Sequence, residues 1–513
     1  MSIAASSASI RRFDRRSTLR PIAAGAPRVV AAVAVAPEAP EARMDTMRNR
    51  CGRRLRAWPL LAVLLTVLGC SGRPEGRNVV VITLDTTRTD HLSMYGFPGK
   101  ISPTLQALAD RGIVFDQAYT PMGQTLPVHA SLFTGRTPRA HGALENHNEL
   151  SADAETLAEV LGARGYQTAA FIGALVLDDT TGLVQGFDVY DEPRGEAVDA
   201  QHPPERRADA VTDAAISWTL TDYEADRPFL LWAHYYDPHG PFDAPESSVP
   251  PAAVRRQMKQ HAREFGAEPP EDYVGLRQAY ADEIAWTDRE VGRLLAGLES
   301  AGMMENTIVV VVSDHGEGLM EHGEKGHGVN VFEELMRVPL IVAAPDGELA
   351  GSRVAGRVLV EDLMPTMLNL AGHGEAAPES DGLDLMPSLR GESALRDRPV
   401  FVERPHYSRE RIAWRSSKQR QYEYGVLVGV IAGDEKLVRQ PDGSEALYDL
   451  LADPDELADL AADRPGSVQR LSGLLDDWIA RYPVGEVGAA SALSDERLRA
   501  LAELGYGGGA PGN

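Results

Sequence analysis

Short uninterrupted apolar runs recur along the chain and alternate with segments of helical spacing. Residues 78–84 (NVVVITL), 167–172, 229–233, 307–312 and 338–343 read as strands. Their lack of polar alternation places them in a sheet covered on both faces. Between them, helices are predicted over 103–111, with a proline in the first turn, and over 151–165, opened by a serine cap and closed by glycine. A long amphipathic helix is expected over 273–298, and another helix over 363–371. This order predicts an α/β fold with a large, mostly parallel sheet sandwiched by helices. Near residue 399 the texture changes. Residues 400–403, 425–431 and 435–439 read as a small antiparallel sheet, with a helix over 467–480 to cover it. The expected layout is a catalytic body at 78–394, a C-terminal α+β subdomain at 395–485 and a loose, glycine-rich tail at 486–513.

The 513 residues are 43% hydrophobic and 25% charged, which is ordinary for a globular protein. The net charge of −24 argues against nucleic acid as a partner, because binding phosphates needs clustered Lys and Arg. The two cysteines, Cys51 and Cys70, both precede the first strand, so the body has neither a disulfide framework nor a cysteine metal site. Residues 47–70 read as a lipoprotein signal peptide. Arg48, Arg50, Arg53, Arg54 and Arg56 precede an apolar run at 57–68, and Val67-Leu68-Gly69-Cys70 resembles a bacterial lipobox with Cys70 as lipid acceptor. Residues 71–77 form a tether, and residues 1–46 read as disordered or as lying before the true start. The expectation is an exported protein, anchored in the membrane of a bacterial envelope through Cys70.

In an open α/β sheet, ligands bind beyond the carboxyl ends of the strands. Three acidic sites fall there: Asp85 after the first run, Asp237 with His239 after the 229–233 run, and Asp314 with His315 after the 307–312 run. Each alone reads equally as a turn or cap residue. Together, carboxylates and imidazoles on one rim read as a site for a divalent ion. Thr125 opens a segment, 127–133, that can form a helix with proline in its first turn, and a helix N-terminus favours an anion. A metal beside Thr125 would make its hydroxyl nucleophilic; without one, Thr125 would only cap the helix. His129, one turn on, could face the same pocket. His322, Lys325 and His327 lie in a glycine-rich loop suited to holding an anion, or to a solvated turn. Arg88 could touch either the anion or a structural carboxylate.

These residues resemble the sulfatase family of the alkaline phosphatase superfamily over residues 78–462. The resemblance is carried by Leu84-Asp85-Thr86-Thr87-Arg88, by Thr125 to Gly135, by Ser313-Asp314-His315-Gly316, and by Arg337-Val338-Pro339-Leu340 and Leu447-Tyr448-Asp449-Leu450. It implies that Asp85, Thr125, Asp314 and His315 hold one metal. It also implies that Asp237, His239 and His327 hold a second, or that His239 and Lys325 act on the ester oxygens or leaving group. The departures are equally informative. Family sulfatases convert a Cys or Ser into formylglycine, and Thr125 cannot become that aldehyde. His129 replaces the signature Arg, and His315 replaces the Asn of a calcium site. One or two ions are implied, zinc or manganese in preference to calcium.

These changes resemble the phosphodiesterase and phosphatase branches, which use an unmodified Thr or Ser. The expected substrate is a small anionic ester or a glycan, with phosphoester hydrolysis preferred over sulfuric ester hydrolysis. Two other functions fit the same residues: a transferase moving a phospho-group onto an envelope glycan, and an inactive glycan-binding module.

Overall fold

The computed structural model describes residues 76–193, 205–250, 274–322, 325–347, 349–407 and 425–483. The signal segment, Cys70, the tether up to residue 75 and the 486–513 tail lie outside the described residues. No helix among those described is long and apolar enough to cross a membrane.

The apolar runs are strands. β1 (Asn78–Leu84), β2 (Ile113–Tyr119), β3 (Gln167–Ile172), β4 (Val189–Asp191), β5 (Phe229–Tyr235), β6 (Thr307–Ser313), β7 (Leu340–Ala343) and β8 (Ser352–Leu359) form one sheet in the order β8-β2-β7-β6-β1-β5-β3-β4. A two-residue strand, Arg337–Val338, also pairs with β2. The pairings β1–β5, β1–β6, β3–β5, β3–β4 and β2–β8 are parallel, and β7 runs antiparallel to both neighbours. β1 and β6 lie at the centre, and every residue in them is buried.

Alternate side chains serve two cores. Val79 and Val81 pack on one face, while Val80, Ile82 and Leu84 pack on the other. Truncating one of these to alanine costs about 2–5 kcal/mol. One layer of helices contains α1 (Pro103–Asp110), α4 (Ala208–Thr221) and α5 (Val274–Ser300). The opposite layer contains α2 (Thr125–Thr134), α3 (Leu157–Gly162) and α6 (Leu363–Ala371).

The helix expected over 151–165 begins later, because Thr156 and Glu159 form a reciprocal capping box. The Thr156 hydroxyl accepts from the Glu159 amide at 3.1 Å, and Glu159 accepts from the Thr156 amide at 2.8 Å. α4 went unforeseen, since Asp and Thr interleave its alanines (ADAVTDAAISWTLT) and blur the apolar stripe.

A second sheet, β9 (Val400–Tyr407), β10 (Gly425–Ala432), β11 (Glu435–Arg439) and β12 (Glu445–Asp449), is wholly antiparallel. α7 (Pro465–Arg481) covers one face with Leu471, Leu475 and Trp478. The other face, through Val400 and Val402, packs on Tyr119, Leu335 and Met336 of the main body. Two further contacts tie this sheet to the segments on either side of α2. The Glu403 amide donates to the Pro121 carbonyl at 2.9 Å, and Arg139 pairs with Glu403 at 2.7 Å while lying over Trp478.

Candidate active site

Strand register places the first carboxylates. Leu84 of β1 is level with Ser313 of β6 and Tyr235 of β5, so Asp85, Asp314 and Tyr236–Asp237 leave the sheet at the same rim. Asp85, Asp314 and His315 each bring a donor atom within 4.8 Å of the others. Among the described residues they are the one group of three to do so.

The turn after β1 is wired to the turn after β6. The Thr86 amide donates to Asp314 Oδ1 at 3.1 Å, and the Thr87 amide donates to Ser313 Oγ at 2.9 Å. Tyr280 of α5 donates to the Thr86 carbonyl at 2.7 Å and accepts from the Arg88 amide at 2.9 Å. These bonds hold Thr86 at φ 51°, the left-handed region that a β-branched residue enters only under constraint. Gly316 lets the strand leave tightly, since a Cβ there would overlap the Glu334 carbonyl.

The group is short of positive charge. Both Asp85 oxygens and Asp314 Oδ2 are buried and make no hydrogen bond. Burial first, then Asp314, pushes the Asp85 carboxyl well up; burial pushes Asp314 up to about 6. Burial takes His315 down to about 4, so its ring is neutral near pH 7. His315 Nδ1 faces the Gly316 carbonyl at 3.0 Å and must donate to it. Its Nε2 lone pair therefore faces Asp314 Oδ2 and Thr125 Oγ1, each at 3.5 Å. Three converging acceptors without a donor among them are the environment a cation completes, so these residues fit a divalent ion.

Thr125 is the first residue of α2 and is fully buried. The residue before it, Gln124, holds the cap position, and no side chain caps the helix, so capping is not the role of the Thr125 hydroxyl. The N-terminus offers fewer free amides than expected. The Leu126 amide donates to Asn146 Oδ1 at 2.9 Å, Pro127 has none, and the Val128 amide donates to the Gln124 carbonyl at 3.3 Å.

His129 does turn toward this region. Its Nδ1 donates to the Thr125 carbonyl at 2.8 Å, and Nε2 makes no hydrogen bond. Burial lowers its pKa, against the pull of Asp314, and keeps it neutral. Beside it sits His234, which was not singled out from the sequence. Its Nε2 lies 3.6 Å from Asp85 Oδ2, its ring centre is 5.0 Å from that of His129, and burial holds it neutral. Its signal was available: FLLWAHY runs apolar toward the rim and carries an imidazole one residue before its end.

His239 and His327 meet across the rim, with Nε2 atoms 3.0 Å apart. His239 Nδ1 faces the Gly240 carbonyl at 2.7 Å and His327 Nδ1 faces the Gly123 carbonyl at 3.1 Å. The His327 ring lies 4.3 Å from that of His315, centre to centre. Asp237 does not complete a three-donor set with this pair. Arg207 Nη1 lies 3.9 Å from it, and its electrostatic neighbourhood includes Glu205 and Glu283. Those two glutamates had no sequence signal. Arg88 is structural, bound to Asp90, to Glu321 and to the Glu317 carbonyl. His322 stacks on Phe332 at 3.6 Å and pairs with Glu334. The Lys325 side chain lies outside the described residues.

A family model described as Sulfatase matches residues 77–373, more than half of the 513. A Delta 4,5-hexuronate-2-O-sulfatase of Bacteroides thetaiotaomicron is 26% identical, over 81% of this chain and 92% of the relative. A choline-sulfatase of Rhizobium meliloti is 28% identical, over 77% and 85%. The crystal structure of a phosphonate monoester hydrolase of Agrobacterium radiobacter shares the fold, with a TM-score of 0.63 and 22% identity over 79% of this chain and 96% of that one. The chain therefore belongs to the sulfatase family of ester hydrolases.

Proposed function

We propose that this sulfatase-family hydrolase uses the Thr125 hydroxyl as its nucleophile and cleaves phosphate esters in preference to sulfate esters. The observation that carries the reading is Thr125 Oγ1 lying 3.5 Å from His315 Nε2, inside the buried group of Asp85, Asp314 and His315. Asp85, Asp314, His315 and Thr125 would hold the ion. Imidazole in that set favours zinc or manganese over calcium. A bound divalent ion lowers the pKa of a neighbouring hydroxyl and offsets charge on the ester oxygens.

The Thr125 oxygen attacks phosphorus, the P–O bond to the alcohol breaks, and the alcohol leaves with a proton. The His239–His327 pair supports that last step. Their Nε2 atoms lie 3.0 Å apart, and His239 Nδ1 meets the Tyr236 hydroxyl at 2.6 Å as well as the Gly240 carbonyl; a proton shared between the Nε2 lone pairs would be available to the leaving oxygen. A second cation would satisfy the same lone pairs, and the metal count per chain separates the two. Water then attacks the phosphothreonine at phosphorus and releases phosphate. A sulfothreonine lacks the aldehyde exit that formylglycine provides, which favours the phosphoester. The basic cluster, apolar run and Cys70 support an exported enzyme held to the envelope by lipid.

The test is a panel of nitrophenyl phosphodiester, phosphomonoester and sulfate, assayed with the wild type and Thr125→Ala. Phosphoester turnover that falls about 10⁴-fold or more in the variant is expected for loss of a nucleophile. Turnover of sulfate alone would overturn the ester preference. Activity surviving in Thr125→Ala would remove Thr125 from its role.

A further inference from the structure

Beside the three-donor group lies a second buried acidic cluster that the mechanism above does not use. Glu205, which precedes α4, Asp237, which follows β5, Asp243 and Glu283 of α5 are electrostatic neighbours, and Arg207 is the cation among them. Arg207 is committed elsewhere. Its Nη2 donates to the Asp243 carbonyl and to Asp243 Oδ1, at 2.9 and 2.6 Å, and Nη1 comes no nearer to Asp237 than 3.9 Å. The Asp237 side chain is 1% exposed, and neither oxygen makes a well-formed hydrogen bond, though the Ala208 amide and its own amide point toward the carboxylate. Glu205 Oε1 and Glu283 Oε2 also lack partners, while Glu283 Oε1 accepts from the Asp243 amide.

Several other buried carboxylates are matched, although Glu361 Oε2 also makes no hydrogen bond and burial lifts that carboxyl to about 8. Asp288 accepts two backbone amides, and Glu403 and Asp362 pair with Arg139 and Arg398. Burial pushes Asp237 up to about 7, Glu205 to about 8 and Glu283 to about 9, the response of carboxyls lacking a counter-charge.

We propose that Glu205, Asp237 and Glu283 recognise an ammonium group on the alcohol part of the substrate. The inference rests on the anion site proposed at Thr125 and names its substrate class: a zwitterionic amino-alcohol ester. Three observations select an organic cation over a bare ion. The donor atoms do not converge in the way those of Asp85, Asp314 and His315 do within 4.8 Å. An ammonium carries several N–H donors and can serve spread acceptors singly. The cluster also borders solvent, since the neighbouring Arg207 and Asp243 side chains are 39% and 32% exposed. It lies beside the reaction centre. Glu205 raises the Asp85 carboxyl electrostatically, and Asp237 is two residues from His239.

Two isosteric, non-hydrolysable probes test this on the manganese-loaded protein by calorimetry: 2-aminoethylphosphonate and propylphosphonate. The amine is expected to bind about tenfold tighter, the scale of one charge-assisted hydrogen bond. Glu205→Gln and Glu283→Gln should each remove most of that preference and leave propylphosphonate affinity unchanged. Arg207→Met removes a competing cation and should raise the preference, so the test does not depend on either glutamate variant folding. Equal affinity for the two probes would overturn this inference and leave the anion site standing. Binding of neither would overturn both. A second metal ion per chain that disappears in Glu283→Gln would reassign the cluster as a metal site.

Discussion

Two buried acidic clusters in this molecule are built to opposite rules. In the C-terminal sheet, Lys436 is fully buried and pairs with Glu333 at 3.1 Å and Glu456 at 2.9 Å, joining that sheet to the body. At the rim of the main sheet, Asp85 and Asp314 are equally buried, but their nearest bases are His234 and His315, which burial keeps neutral. The first cluster carries its own counterion and serves the fold. The second leaves a place for one, and that gap separates a site from a staple.

The comparison breaks most visibly by removing one charge from each cluster. Asp314→Asn or Asp85→Asn should lower phosphoester turnover by about 10³-fold or more and abolish retained metal. The fold should survive, because the change removes an unpaired buried charge. Loss of metal without loss of folding, read by elemental analysis and thermal melting, is the expected pair of results. Lys436→Met should do the reverse. It strands the fully buried Glu456 and the half-buried Glu333 and should cost about 3–5 kcal/mol of stability, read by denaturant unfolding, with metal content unchanged.

A smaller effect sharpens the contrast through pH. The folded Asp314 carboxyl sits at about 6, above its ordinary 3.8. A raised carboxyl stabilises the fold below its unfolded value, and that contribution is lost as pH rises through the folded value. The metal-free wild type should therefore lose melting temperature relative to Asp314→Asn between about pH 4 and pH 7, and added manganese should cancel the difference. A difference independent of pH would show that Asp314 has a counter-charge in the metal-free protein.

Much of this was legible before folding was considered. NVVVITL and TIVVVVS can only be buried strands, and in a parallel sheet their ends share a rim, so Asp85 and Asp314-His315 declare themselves. Three of the four C-terminal strands were equally plain, and β12 was not. The rest depends on contacts between distant segments. Glu205 and Glu283 read as ordinary surface glutamates until α4 and α5 bring them beside Asp237. His234 hides inside an apolar run because the strand's alternation is masked where both faces are buried. Arg88 was open between the anion and a structural carboxylate, and His322 between an anion-holding loop and a solvated turn; Glu321 and Glu334 claim them. The family resemblance grouped His239 with His327, whose Nε2 atoms lie 3.0 Å apart, yet could not show that Asp237 sits among other carboxylates.

The most direct test is to trap the covalent step. Wild-type protein mixed with a nitrophenyl phosphodiester and quenched in acid should carry a phospho-group that peptide mapping assigns to Thr125. The adduct should require added metal and be absent in Thr125→Ala. Full turnover with no adduct on Thr125, or an adduct that forms equally in Asp85→Asn and Asp314→Asn, would contradict the account.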